Sequence, residues 1–202
     1  MLEDLIQSVD LNACQQKEMK RSVISNYGIV STEALNAYQC LQMKHDEIYH
    51  HEILVLGISR RMNHVALHLI KYLGSLTSTP ISAEKNRRAF IDAFIMVVSA
   101  SNLLGISLEK ELVIEEINTN SNESFIFGYI QLLAELAKAC EATDHQEDYP
   151  IRATWNKNTK SFFRLLMHEA VSRNISIIEE AIQRITEVEK KHPLNNILWR
   201  KE

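Results

Sequence analysis

Turn residues are scarce in this chain, with five glycines and three prolines among 202 residues. So few breakers leave long uninterrupted segments, and with Leu, Ile, Ala and Glu abundant they predict an all-α protein. Cysteine is as sparse. Cys14, Cys40 and Cys140 are odd in number and widely spaced, which argues against a disulfide frame or a zinc knuckle and predicts reduced thiols in a cytoplasmic protein. There is no excess of basic charge: 22 Lys and Arg are interspersed with 26 Asp and Glu, so no footprint for nucleic acid is present. The longest apolar run carries Asp92, two serines and an asparagine, too short and polar for a membrane span. The acidic start Met1-Leu-Glu-Asp-Leu-Ile lacks the basic residues and cleavage site of a signal peptide. No glycine-rich phosphate loop and no Ser or Cys nucleophile motif occurs.

What remains is a succession of helical patterns, enough for one core or two small, closely packed units. Two short helices are predicted at residues 2–9 and 12–26, stopped by Tyr27-Gly28. Ser31 then starts a very long helix reaching Leu73-Gly74, with Gly57 marking a kink or a close crossing. After a loop from Ser75 to Pro80, Ser82 caps a second long helix that ends at Gly105. Ser107 starts a third, which fades at Asn118-Thr119-Asn120. Ser121 caps a helix through Cys140 to about Thr143, and a polar loop follows from Asp144 to Asn156. The next helix ends near Asn174, Ser176 starts another, and Pro193 stops it. Trp199 is available to dock the tail on the body.

Pro80-Ile81-Ser82-Ala83 recurs as Pro150-Ile151-Arg152-Ala153, and Gly105-Ile106-Ser107 as Asn174-Ile175-Ser176. Either a helical unit is duplicated or two helical hairpins coincide in their turns. The expected organisation is a pair of N-terminal helices (1–30), a first unit (31–120), a repeat-like second unit (121–193) and a tail (194–202), forming a helical bundle.

Asp92 is the only formally charged residue between Arg88 and Glu109. A carboxylate in so apolar a helix requires a metal, a cation or several donors. On the preceding helix His64 and His68 stand one turn apart on a shared face, with Asp46, His50, Gly57 and Arg61 near the same line. A hairpin at Ser75–Pro80 brings His68 and Asp92 level. Two imidazoles and a carboxylate suffice for a divalent transition metal. Alternatively, the imidazoles are simply hydrogen-bonded and Asp92 pairs with Arg61, Arg88 or Lys85. His45-Asp46 is similar to the metal-binding dyad of HD phosphohydrolases, but no histidine supplies that pattern's first ligand.

The segment from Phe90 through Asp92, Leu103-Leu104-Gly105-Ile106 and on to Leu112 resembles the helix and turn of MazG-like, all-α nucleoside triphosphate pyrophosphohydrolases. That family carries Glu-x-x-Asp before the apolar helix and Glu-Glu-x-x-Glu on the helix preceding it. The resemblance spans roughly residues 47–117, with a weaker echo to 185. It implies a MazG-like bundle in which a tandem unit replaces paired subunits. It also implies magnesium held by carboxylates and hydrolysis of a nucleotide to its monophosphate and pyrophosphate. Asp92 matches the motif's aspartate, whereas Ala89 replaces its glutamate. His64 and His68 replace the outer glutamates of the other motif and Val65 the middle one. In the second unit Glu135 aligns with Val65 and Lys138 with His68, while Ser161 and Phe162 stand in the region of Asp92.

These departures leave three expectations. The first is a pyrophosphohydrolase with Asp92, His68 and His64 at its metal end, magnesium as cofactor and carboxylates such as Glu52 or Glu84 borrowed. The second is a catalytically silent binding or regulatory protein of the same fold. The third is a transition-metal protein unrelated to nucleotides. Lys85 and Arg88, with Arg87, stand where a helix start could meet phosphate, and Trp155 with Lys157 and Lys160 could stack a base; a solvated basic turn and a loop anchor are the alternatives. A nucleotide is the expected ligand, with neither nucleic acid nor membrane as partner and a homodimer as the candidate assembly.

Overall fold

The computed structural model describes residues 31–78, 84–112 and 124–191. The expected helices at 2–9 and 12–26, the Ser82 and Ser121 caps, the stop at Pro193 and the tail lie outside these residues. Among the described residues there are eight helices and no strand: α1 (Thr32–Tyr49), α2 (His51–Leu54), α3 (Ile58–Ser78), α4 (Glu84–Leu104), α5 (Glu109–Leu112), α6 (Phe125–Asp144), α7 (Ile151–Ser172) and α8 (Ile177–Lys191). The all-α bundle expected from composition is what the chain forms.

Local chemistry sets the boundaries. The Ser31 hydroxyl accepts from the Ala34 N–H at 3.0 Å and opens α1; Ser124 does the same for α6 through the Phe127 N–H at 3.3 Å. The single long helix expected from Ser31 to Gly74 is instead three pieces. His50 leaves helical geometry at φ −129°, ψ 32°, and the chain breaks again at Val55–Gly57 before α3 begins. Gly57 supplies the carbonyl that accepts the first bond of α3, from the Arg61 N–H at 3.1 Å. A Cβ there would meet nothing within 4 Å, so Gly57 marks a break and not a close crossing. The polar loop expected to reach Asn156 is also shorter, because α7 starts at Ile151, directly after Pro150, whose fixed φ suits a helix entrance. Trp155 is therefore a core residue, 1% exposed, and Lys160 is tied to Glu111. Neither is placed to stack a base.

Two antiparallel hairpins, α3–α4 and α6–α7, lie side by side, with α3 on α6 and α4 on α7. The Tyr129 hydroxyl donates to the Leu69 carbonyl at 3.0 Å and links them. Helix α4 is central, packed by α1, α3, α7 and α8, which is why it is apolar around most of its circumference. Phe94 stacks on Tyr38 and meets Phe163; Tyr129 meets Phe162 edge-on. The first hairpin's short α5 packs on α7 of the second, and α8 packs on α4 of the first.

The two turns matched in the sequence share one geometry. Gly105 and Asn174 have φ of 69° and 54°. The next residue's N–H reaches back over the turn, Ile106 to the Ser101 carbonyl at 2.9 Å and Ile175 to that of Ala170 at 2.8 Å. Gln146 (φ 54°) closes α6 similarly, with the Glu147 N–H on the Ala142 carbonyl at 2.9 Å. The turn is thus a general helix ending here, and by itself it carries no argument for duplication.

Candidate functional site

A cavity of about 370 Å³ opens between α1, α2, α3, α4 and α8. Neither α6 nor α7 lines it. Ile53, Leu54, Ile95, Met96 and Val188 make apolar walls, and polar groups from five helices converge between them. Its volume is ordinary for a small-molecule site, roughly 300–1,000 Å³.

Asp92, His64 and His68 all line this cavity. The partner of Asp92 is neither Arg61, Arg88 nor Lys85 but Arg184 of α8, whose Nε donates to Oδ1 at 2.7 Å. Its Nη2 stands 3.5 Å from Oδ2. The side chains are 15% and 17% exposed. Arg184 Nη1 is buried with no hydrogen-bond partner, and the Glu187 carboxylate is 3.9 Å away.

His64 and His68 share a face as expected, their rings 4.3 Å apart between centroids. His68 Nδ1 lies 3.1 Å from the Tyr72 hydroxyl and 3.3 Å from Lys71 Nζ. Burial, with Lys71 and His64 nearby, lowers its pKa to about 4. Burial, then His50 and Lys71, lowers that of His64. The His68 imidazole is therefore neutral at pH 7.

The three expected metal residues share a cavity without converging as ligands. Among the described residues, one group of three or more His, Cys, Asp or Glu has its ligating atoms within 4.8 Å of one another: Glu141, His145 and Glu147, all exposed. Both carboxylates of that group hold Lys138, at 3.1 and 2.8 Å, so it is a surface ion cluster. For magnesium these three residues fit poorly. Asp92 is engaged by a guanidinium, and two imidazole nitrogens are weak ligands for a hard cation.

Lys85 and Arg88, expected to hold phosphate, do not line this cavity. Arg88 lines a second, polar cavity of about 430 Å³ with Glu84, Arg87, Glu180 and Glu187, where the Arg87 guanidinium grips Glu180 through Nε at 2.7 Å and through Nη2. Lys85 is exposed and lines neither. Of the carboxylates proposed as substitutes, Glu52 lines the first cavity and Glu84 the second. Arg184 is a wall of both.

Sequence reasoning placed Asp46 near this line but gave it no role. Gln42 Nε2 donates to its Oδ1 at 2.8 Å and lies 3.2 Å from the Ser99 hydroxyl, while Gln42 Oε1 accepts from Tyr38 at 3.2 Å. Burial raises the Asp46 pKa against the opposing hydrogen bonds of Ser99 and Gln42 and the charges of His50 and His45. The neighbouring His45 lines the same cavity, and its Nδ1 lies 3.0 Å from Glu189. With histidines counted as neutral, Asp46, Glu52 and Asp92 face Arg61 and Arg184 across the cavity.

No helix among the described residues is long and apolar enough to cross a membrane. Compared with known proteins, the chain matches no family model, no curated protein and no solved structure.

Proposed function

We propose that this chain is a small-molecule-binding helical bundle, a MazG-like relative without nucleoside triphosphate pyrophosphohydrolase activity. The observation that carries the reading is the Arg184 guanidinium on Asp92, the one carboxylate that the resemblance keeps for magnesium. Two further facts support it. Ala89 and Val65, which stand where the family has glutamates, are each 5% exposed and belong to the hydrophobic core. The cavity also balances three carboxylates with only two guanidiniums, an unfavourable field for a polyanionic triphosphate.

The test is pyrophosphate release by pure protein from a panel of ribo- and deoxyribonucleoside triphosphates with magnesium or manganese. No release is expected, and magnesium alone is expected to leave thermal stability unchanged, since only an ion bound to the native state raises it. Release that disappears in Asp92→Ala would instead establish the hydrolase, a second reading favoured by the gathering of His64, His68 and Asp92 in one cavity. Stoichiometric zinc, iron or nickel in the purified chain, lost in His68→Ala, would make it a metalloprotein.

A further inference from the structure

Two carboxylates of the cavity, Asp92 and Asp46, are treated differently. Asp92 has its cation in Arg184. Asp46 has none: among the described residues no basic side chain forms an ion pair with it within 4.0 Å. Its carboxylate is nonetheless well oriented. The chain Tyr38–Gln42–Asp46 fixes Oδ1, and Gln42 is itself held 3.2 Å from the Ser99 hydroxyl. A half-buried carboxylate held this way, with no ion pair among the described residues, is prepared for a cation from outside the chain.

We infer that the cavity binds a small organic cation, an ammonium group on an apolar body, with Asp46 as its counter-ion. This rests on the reading of the chain as a binding protein and names the ligand class. Ile53, Leu54, Ile95, Met96 and Val188 provide the apolar wall against which the body lies. His64 lines the same cavity as Asp46, and a neutral imidazole nitrogen is an acceptor for a second ammonium N–H. A monocation also removes the cavity's remaining negative charge, since the ion pair of Asp92 and Arg184 leaves Asp46 and Glu52 facing Arg61 alone. A bare metal ion is the poorer occupant, because among the described residues no group of three ligands within 4.8 Å of one another includes Asp46.

Calorimetric titration with 2-phenylethylammonium and cyclohexylmethylammonium at neutral pH tests this, with 3-phenylpropionate and 3-phenylpropanol as anionic and neutral counterparts. Both cations are expected to bind and the counterparts to bind at least about tenfold more weakly, the scale of one charge-assisted hydrogen bond. Asp46→Asn is expected to remove that preference, and Lys85→Ala to leave it intact. Equal binding of the alcohol, preferential binding of the carboxylate at Arg61, or no binding of either cation overturns the inference, and these comparisons hold on the unaltered chain even where Asp46→Asn does not fold. Pyrophosphate release from a nucleotide would instead sink the binding-protein reading itself, whichever amines bind.

Discussion

The Arg184 guanidinium on α8 lies on the Asp92 carboxylate of α4, with Nε 2.7 Å from Oδ1. It joins the last described helix to the central helix of the first hairpin, and with both side chains mostly buried neither charge can rehydrate freely. Arg184→Met is therefore expected to cost about 2–3 kcal/mol, because it leaves Asp92 without a cation. The double variant Asp92→Leu with Arg184→Met is expected to recover most of that loss. Urea unfolding of the two single variants and the double variant measures the coupling; strictly additive losses would show that the pair does not work as a unit.

How much of this was legible in the sequence follows from how far each signal reaches along the chain. The ends of α4 and α7 at Gly105 and Asn174 were legible because a left-handed residue after an apolar helix is a local signal. That Asp92 needs a partner was legible too. Which partner it has was not, since Arg184 lies 92 residues away and only the packing of α8 on α4 delivers it. Arg88, one turn before Asp92, looked nearer yet faces the second cavity. The break at His50 had no local marker, because Tyr49, His50 and His51 read as ordinary helix.

Glu111 and Glu180 each lie on the third helix of one hairpin's continuation, and each is tied to the second helix of the other. Glu111 takes Lys160 at 2.7 Å and Arg164 at 2.8 Å, itself only 5% exposed in its side chain. Glu180 takes Arg87 with 22% and 44% exposure. Burial decides the ranking. Glu111→Gln is expected to cost about 1–2 kcal/mol as a loss of charged hydrogen bonds, and Glu180→Gln under about 1 kcal/mol as a partly solvated pair. Chemical denaturation of the two variants reads the order directly, and the reverse order would refute the burial argument.

Gly105 holds φ at 69° with open space around the position of a Cβ. Strain, not crowding, is then the whole effect of a side chain there. Gly105→Ala is expected to lower stability by about 1–2 kcal/mol. At Asn174, φ 54°, Asn174→Gly is expected to be neutral or slightly stabilising and Asn174→Ala destabilising by about 1 kcal/mol. Thermal melts of the three variants check this; a Gly105→Ala variant as stable as the parent would place its turn outside the left-handed region.

His68 has its folded pKa lowered to about 4 from 6.5, by burial first and then by Lys71 and His64. The unfolded chain therefore binds more protons than the folded one between about pH 4 and 6.5, and stability falls as the pH is lowered through that window. His64 acts in the same direction. Asp46 acts in the opposite one, because a raised carboxyl pKa favours the protonated folded state as pH falls. The total slope mixes these contributions, but the difference between the parent and His68→Gln isolates one of them. Allowing for solvent screening of a ring that is only partly buried, His68→Gln is expected to remove about 1–2 kcal/mol of the loss between pH 7 and pH 4. Urea unfolding at those two pH values measures it. Parallel curves for the two proteins would mean that His68 takes up its proton in the folded chain as readily as in the unfolded one, and that the imidazole facing the cavity is not held neutral.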